Sequence, residues 1–140
     1  MSKISAPRGF CSKGRTMAPT KLLIVDDEEE FTSTLAERLR LRHYDTKVAS
    51  DGEAAIAEVR EERPDIVLLD LHIPGISGLE TLTRIKAMDA SIQVIILTGS
   101  IGDMAQLTVK AGAVHHMIKP VDIENLVEKL QETQEMLGRD

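Results

Sequence analysis

The chain is 140 residues long, which is enough for one domain with one core. Hydrophobic residues make up 42% but aromatics only 2%, with no Trp, so the core has to be aliphatic; that suits parallel strands covered by helices better than a β-sandwich. The net charge of −6 argues against a surface for duplex nucleic acid, no run is long enough to span a membrane, and the sole cysteine, Cys11, excludes an internal disulfide, which points most simply to the cytoplasm.

Residues 1–20 carry Lys3, Arg8, Lys13 and Arg15 and no acid, so the net charge of the remaining residues is −10. This stretch is polar, rich in Ser, Gly and Pro, and has no apolar period. It reads as a disordered basic leader or an expression remnant, with Met17 as an alternative start. Residues 21–138 read as one domain.

From Lys21 onward, strand-like and helix-like patterns alternate. Lys21 to Asp26 is a first buried strand. Asp27 to His43 follows as a helix with Phe31, Leu35 and Leu39 on its inner face. Thr46 to Ala49 is a short, less hydrophobic strand, as expected of a sheet edge. Ser50-Asp-Gly-Glu53 reads as a capping box opening a helix that turns Ala55, Ile56 and Val59 inward and stops at Pro64. Asp65 to Asp70 is an unbroken apolar run closing on a carboxylate, the pattern of a strand buried on both faces. Ser77-Gly-Leu-Glu80 is a second capping box, and Leu79, Leu82 and Ile85 line its helix. Ile92 to Leu97 is another buried strand ending at Thr98. Gly102 to Ala111 is a weaker helix carrying Met104 and Leu107. Val114 to Ile118 is the last strand, and Asp122 caps a final helix with Ile123, Leu126, Val127, Leu130 and Leu137 inward. Five β–α units with short loops and right-handed crossovers give an α/β fold, a doubly wound parallel sheet with helices on both faces.

The carboxyl ends of parallel strands share one edge, where open α/β sheets place their chemistry. The first strand delivers Asp26 and Asp27 there, the third Asp70, the fourth Thr98 and the fifth Lys119. Three carboxylates at about 4 Å repel by about 4 kcal/mol per pair at an effective dielectric near 20. Lys119 offsets only part of this, so the cluster needs a divalent cation or must protonate. All-oxygen ligands favour Mg²⁺, which takes a phosphate oxygen readily as partner. A carboxylate beside Mg²⁺, a lysine and a hydroxyl is suited to accepting a phosphoryl group, with Asp70 as nucleophile.

Four motifs carry this arrangement: Leu22-Leu-Ile-Val-Asp-Asp27, Asp65-Ile-Val-Leu-Leu-Asp70 with Pro74-Gly75, Ile96-Leu-Thr98-Gly99, and Ile118-Lys119-Pro120. Together they resemble the receiver domain of two-component response regulators, most closely the single-domain, CheY-like chemotaxis type. The resemblance covers Lys21 to about Leu137. It implies a flavodoxin-like (βα)5 fold with strand order 2-1-3-4-5. It implies that Asp70 is the phosphoacceptor, loaded by a sensor histidine kinase or histidine phosphotransfer protein. Asp27 would be the direct ligand of Mg²⁺ (or Mn²⁺), Asp26 a ligand acting mainly through water, and the backbone carbonyl of His72 a third ligand. Thr98 would be the switch hydroxyl, Lys119 the phosphoryl-oxygen donor, and the Lys119–Pro120 peptide cis. The downstream target is a protein that the sequence does not name, met through the face of the fourth helix, fifth strand and fifth helix. No direct contact with nucleic acid or membrane is implied, and homodimerisation stays open.

The chain also departs from the family's pattern. His116 stands where the family usually has the Tyr or Phe that swings inward with the threonine. Ser77 replaces a more usual Asp. His72 and Ser100 hold the two variable positions that tune dephosphorylation. The pair His115-His116 is not expected to chelate a metal, because adjacent strand residues point to opposite faces. Glu28-Glu-Glu30 reads as a solvated first helical turn. Two other functions stand beside the phosphorylatable switch: a pseudo-receiver that docks without taking phosphate, and an aspartyl-nucleophile phosphohydrolase. The second is disfavoured by His72, which sits where such enzymes place a general acid. The chain is read as a phosphoacceptor rather than an enzyme, either a stand-alone regulator or a receiver cut from a longer one.

Overall fold

The computed structural model describes residues 19–99 and 104–137; the leader residues 1–18, with Cys11, and Ser100 lie outside the described residues. Ten elements alternate: β1 (Lys21–Val25), α1 (Glu29–Leu41), β2 (Asp45–Ala49), α2 (Gly52–Glu61), β3 (Ile66–Leu69), α3 (Gly78–Met88), β4 (Gln93–Thr98), α4 (Met104–Lys110), β5 (Ala113–Ile118) and α5 (Ile123–Met136). The five strands form one parallel sheet in the order β2-β1-β3-β4-β5.

Strand alternation divides the core into two layers. Leu23, Val25, Val67, Leu69, Val94 and Ile96 face α2 and α3, where they meet Ala55, Ile56, Val59, Leu82 and Ile85. Leu22, Ile24, Ile66, Leu68, Ile95 and Leu97 face the opposite side, against Leu35, Leu39, Leu126 and Leu130 of α1 and α5. The central strands β1, β3 and β4 are therefore apolar on both faces, as helices on both sides require. Packing begins one residue before β1. Thr20 is buried, its carbonyl accepts from Asp45 N at 3.0 Å, and its hydroxyl accepts from Gln134 Nε2 at 2.9 Å.

Several boundaries differ from the sequence reading. The first helix ends at Leu41 rather than His43, because His43 adopts a left-handed φ of 72° and Tyr44 N turns back to Leu39 O at 3.1 Å. The cap of α2 is Asp51, whose side chain accepts from Ala54 N at 2.7 Å, and not Ser50; two adjacent residues of cap type stood in the sequence, and the helix starts one residue later than the first of them allows. Ser77 caps α3 as read, accepting from Glu80 N at 3.0 Å, and Asp122 caps α5 by accepting from Glu124 N. In α4, Leu107 is 47% exposed and Thr108 takes the fully buried position instead. A bulge breaks the β4–β5 register: Val94 pairs with Ala113, but Ile95 pairs with His115, so one extra residue is inserted in β5.

Candidate functional site

Strands β1, β3 and β5 are each carried one step past their ends, to Asp26, Asp70 and Lys119, while Thr98 is the last residue of β4. Asp26 N donates to Ala49 O at 3.1 Å and Asp70 N to Val25 O at 3.0 Å, so both aspartates continue the sheet ladder and are fixed by it. Lys119 N donates to Thr98 O at 2.8 Å and ties the fifth strand end to the fourth. The Lys119–Pro120 peptide bond is cis. Carboxylate oxygens of Asp26, Asp27 and Asp70 lie within 4.8 Å of one another; Asp26 and Asp70 are buried and Asp27 is exposed.

Asp70 is held on both oxygens. Its Oδ1 accepts from Thr98 Oγ1 at 2.9 Å and from His72 N at 3.0 Å, and its Oδ2 accepts from Lys119 Nζ at 3.1 Å. Asp26 Oδ1 accepts from Glu28 N at 3.0 Å, a local turn that opens α1, while Asp26 Oδ2 accepts from Lys119 Nζ at 2.5 Å. The site therefore contains one ammonium among several carboxylates. Burial pushes the Asp26 carboxyl above its ordinary value, against the downward pull of Lys119 and of Glu28 N. Burial pulls the Lys119 ammonium down, but hydrogen bonds to Asp26, Glu28 and Asp70 outweigh it, and the net direction is up. Such an ammonium stays charged across the physiological range.

The loop after Asp70 is held by a close approach. A Cβ on Gly78 would lie 2.5 Å from Leu71 Cα, 2.8 Å from Leu71 O and 2.9 Å from Asp70 O. The first residue of α3 thus packs directly on the backbone that carries Asp70, and Gly78 N donates to Leu71 O at 3.3 Å.

Sequence reasoning passed over three contributors. Glu28 is part of the site: its Oε1 accepts from Lys119 Nζ at 2.8 Å. Phe31 lies beneath the same ammonium, 4.4 Å from nitrogen to ring centroid. Gly78 was read only as a member of a capping box. Glu28 had no local signal, since it lies in a run of three glutamates and its partner is 91 residues along the chain.

His116 is brought to α4 and not to Asp70. Its Nε2 lies 2.6 Å from Thr108 Oγ1. That hydroxyl also lies 2.9 Å from Ala105 O, to which it donates. His115 points the other way, with Nε2 3.7 Å from Glu132 Oε1 on α5, and the two imidazoles do not share a ligand site. His72 is exposed and touches Asp70 through its backbone N–H.

Residues 22–131 match the Response regulator receiver domain family. The chain belongs to that family. This receiver domain, of the kind used in two-component systems, is 43% identical over 112 residues to Sporulation initiation phosphotransferase F of Bacillus subtilis (strain 168), a match covering 79% of this chain and 90% of the relative. It also matches longer curated transcriptional regulators, of which it spans 45 to 49% of the length. Among solved structures, it superposes with a TM-score of 0.83 on a CheY-like receiver domain protein from Methanospirillum hungatei JF-1, at 24% identity, covering 86% of this chain and 97% of that one. It superposes with a TM-score of 0.76, at 28% identity, on a response regulator from Burkholderia pseudomallei crystallised with a phosphorylated aspartic acid, calcium ion and citrate, covering 85% of this chain and 71% of that one. Among the described residues of the receiver domain, no helix is long and apolar enough to cross a membrane.

Proposed function

We propose that this receiver domain accepts a phosphoryl group on Asp70 from a phosphohistidine of a sensor histidine kinase or histidine phosphotransfer protein, and that the modified chain changes its affinity for a downstream protein. The observation that supports this best is the hold on Asp70: Thr98 Oγ1 on one carboxylate oxygen, Lys119 Nζ on the other, and two further aspartates within reach of the same point.

An Asp70 oxygen attacks phosphorus, the P–N bond of the donor breaks, and its electron pair returns to the donor imidazole. The sheet ladder fixes the Asp70 backbone, and the bonds from Thr98, His72 N and Lys119 hold its carboxylate in place for attack. Lys119 places a fixed positive charge where negative charge gathers on the transferring oxygens, and Thr98 offers a hydroxyl that follows the phosphoryl group. Asp26, Asp27 and the backbone carbonyl of His72 would hold Mg²⁺ (or Mn²⁺), and the clustering of carboxylates around one point fits a hard divalent cation with oxygen ligands. When bound, that cation supplies charge neutralisation to the phosphoryl oxygens.

The readout surface in this reading is the α4–β5–α5 face, where Leu107 is 47% and Ile118 50% exposed. The structure with a phosphorylated aspartic acid and the relative named a phosphotransferase both support the reading. The chain acts here as a phosphoacceptor that catalyses only its own transfer and hydrolysis. Incubation with acetyl phosphate and Mg²⁺ is expected to add one phosphoryl group by intact mass. The adduct is lost on brief alkaline treatment and never forms in Asp70→Asn. Equal labelling of Asp70→Asn overturns the assignment.

A further inference from the structure

The phosphotransfer reading leaves one bond of Lys119 unexplained. An ammonium has three protons, and here they go to Asp26 Oδ2, Glu28 Oε1 and Asp70 Oδ2. The Phe31 ring closes another side of it. Phosphorylation turns the Asp70 carboxylate into an acyl phosphate, so the Lys119 proton given to Oδ2 passes to a phosphoryl oxygen, and a second contact to the phosphoryl group needs a proton that Asp26 or Glu28 holds. Those two differ sharply in what leaving costs. The Asp26 side chain is 1% exposed, whereas that of Glu28 is 62% exposed and rehydrates freely.

Among the described residues, the partner of the Glu28 carboxylate is Lys119. Glu28 stands at the N-cap of α1 yet makes no side-chain cap bond. The local structure uses only its backbone: its N–H donates to Asp26 Oδ1, and its carbonyl accepts from Thr32 N at 3.0 Å. Its carboxylate reaches 91 residues along the chain to Lys119 instead.

We propose that Glu28 is a positioning residue that parks Lys119 in the unphosphorylated chain and competes with the phosphoryl oxygens for its ammonium. The proposal rests on the phosphotransfer reading above. When Asp70 is phosphorylated, Glu28 swings into water and its place on Nζ is taken by a phosphoryl oxygen. Two effects of opposite sign follow from neutralising this carboxylate. A competitor for Lys119 disappears, so an anion at Asp70 is held more tightly. A negative charge beside the acidic cluster disappears as well, so a divalent cation is held more weakly. A structural defect of the site weakens both.

Calorimetric titrations of the full chain test this. Mg²⁺ alone is titrated first, then beryllium fluoride, a tetrahedral phosphoryl mimic, at saturating Mg²⁺. The proteins are the wild type, Glu28→Gln, Glu28→Ala and, as a charge control on the exposed side of α1, Glu37→Gln, each with its thermal midpoint recorded. Both Glu28 variants are expected to bind the mimic about two- to fivefold tighter and Mg²⁺ weaker by a similar factor, with Glu37→Gln unchanged. Mimic affinity that is equal or weaker in both Glu28 variants, at an unchanged thermal midpoint, overturns the parking role and leaves the phosphotransfer reading standing. Failure of the wild type itself to bind the mimic at saturating Mg²⁺ overturns that reading, and this proposal with it.

Discussion

Thr98 Oγ1 donates a 2.9 Å hydrogen bond to Asp70 Oδ1, and both residues are buried. The two come from neighbouring strands, β4 and β3, so the sheet itself sets their separation. A hydroxyl so placed follows whatever is attached to the carboxylate. Hydrogen bonds to charged groups contribute about 1.5–3 kcal/mol. Thr98→Ala is therefore expected to slow phosphoryl uptake from acetyl phosphate by about tenfold or more, while Thr98→Ser stays within about twofold. The time course of intact mass measures both; equal rates in the Ala and Ser variants would remove the hydroxyl from the reaction.

Asp26 shows the cost of gathering acids. Burial raises its carboxyl above the ordinary value although Lys119 pulls the other way, so its charged form is held at a loss when no cation is bound. In the presence of a chelator, Asp26→Asn is expected to melt about 3–6 °C higher than wild type. Lys119 keeps Glu28 and Asp70 as partners in that variant, so its charge is not left alone. In excess Mg²⁺ the order narrows or reverses, because only the wild type gains from the ion. Scanning calorimetry under the two conditions decides it.

The chain's layers were legible because aliphatic runs and helical periods do not overlap: Asp65 to Asp70 has no helical reading, and Leu35 and Leu39 have no strand reading. Asp26, Asp27, Asp70, Thr98 and Lys119 could be gathered for the same reason, since parallel strands put every carboxyl end on one edge. What stayed hidden depends on contacts between distant segments. The extra residue in β5 restores His116 to the side of the sheet that Ile96 faces, beside α4, and nothing in Ala113-Val-His-His116 announces a bulge. Glu28 lies among three glutamates and is distinguished only by a lysine far along the chain. Thr108 takes the buried position in place of Leu107, and its hydroxyl lies against His116 there, a contact made across eight residues of chain.

His43 ends α1 in a left-handed conformation that a residue with a Cβ adopts at a cost of about 1–2 kcal/mol. Glycine relieves that cost and loses part of the gain through its freer unfolded chain. His43→Gly is expected to raise unfolding stability by about 0.5–1 kcal/mol in urea denaturation. His43→Val is expected to lower it, since a β-branched residue tolerates this φ least.

Gly78 meets the backbone of Leu71 and Asp70 more closely than any Cβ tolerates. The atoms in the way are main chain and have no rotamer to yield with. Gly78→Ala is expected to cost about 1–3 kcal/mol and, by pushing on the peptide that carries Asp70, to slow phosphoryl uptake as well. Gly99 offers the contrast: a Cβ there would meet nothing within 4 Å, so Gly99→Ala is expected to leave stability within about 0.5 kcal/mol of wild type. Chemical denaturation of the two variants side by side reads the difference.

His115 and His116 make stability depend on pH in a definite direction. Burial holds both imidazoles below their ordinary 6.5; Lys129 adds to this for His115 against a partial opposing pull from Glu132, and His115 adds to it for His116. In the unfolded chain both regain the ordinary value, so between the folded and unfolded values the unfolded state binds more protons. The stability they contribute is therefore full above about pH 6.5 and drains away as pH falls through the folded values. The urea midpoint is expected to fall between pH 7 and pH 5.5, and less steeply in a His115→Gln/His116→Gln double variant. Parallel curves for the two proteins would show that other groups carry the dependence.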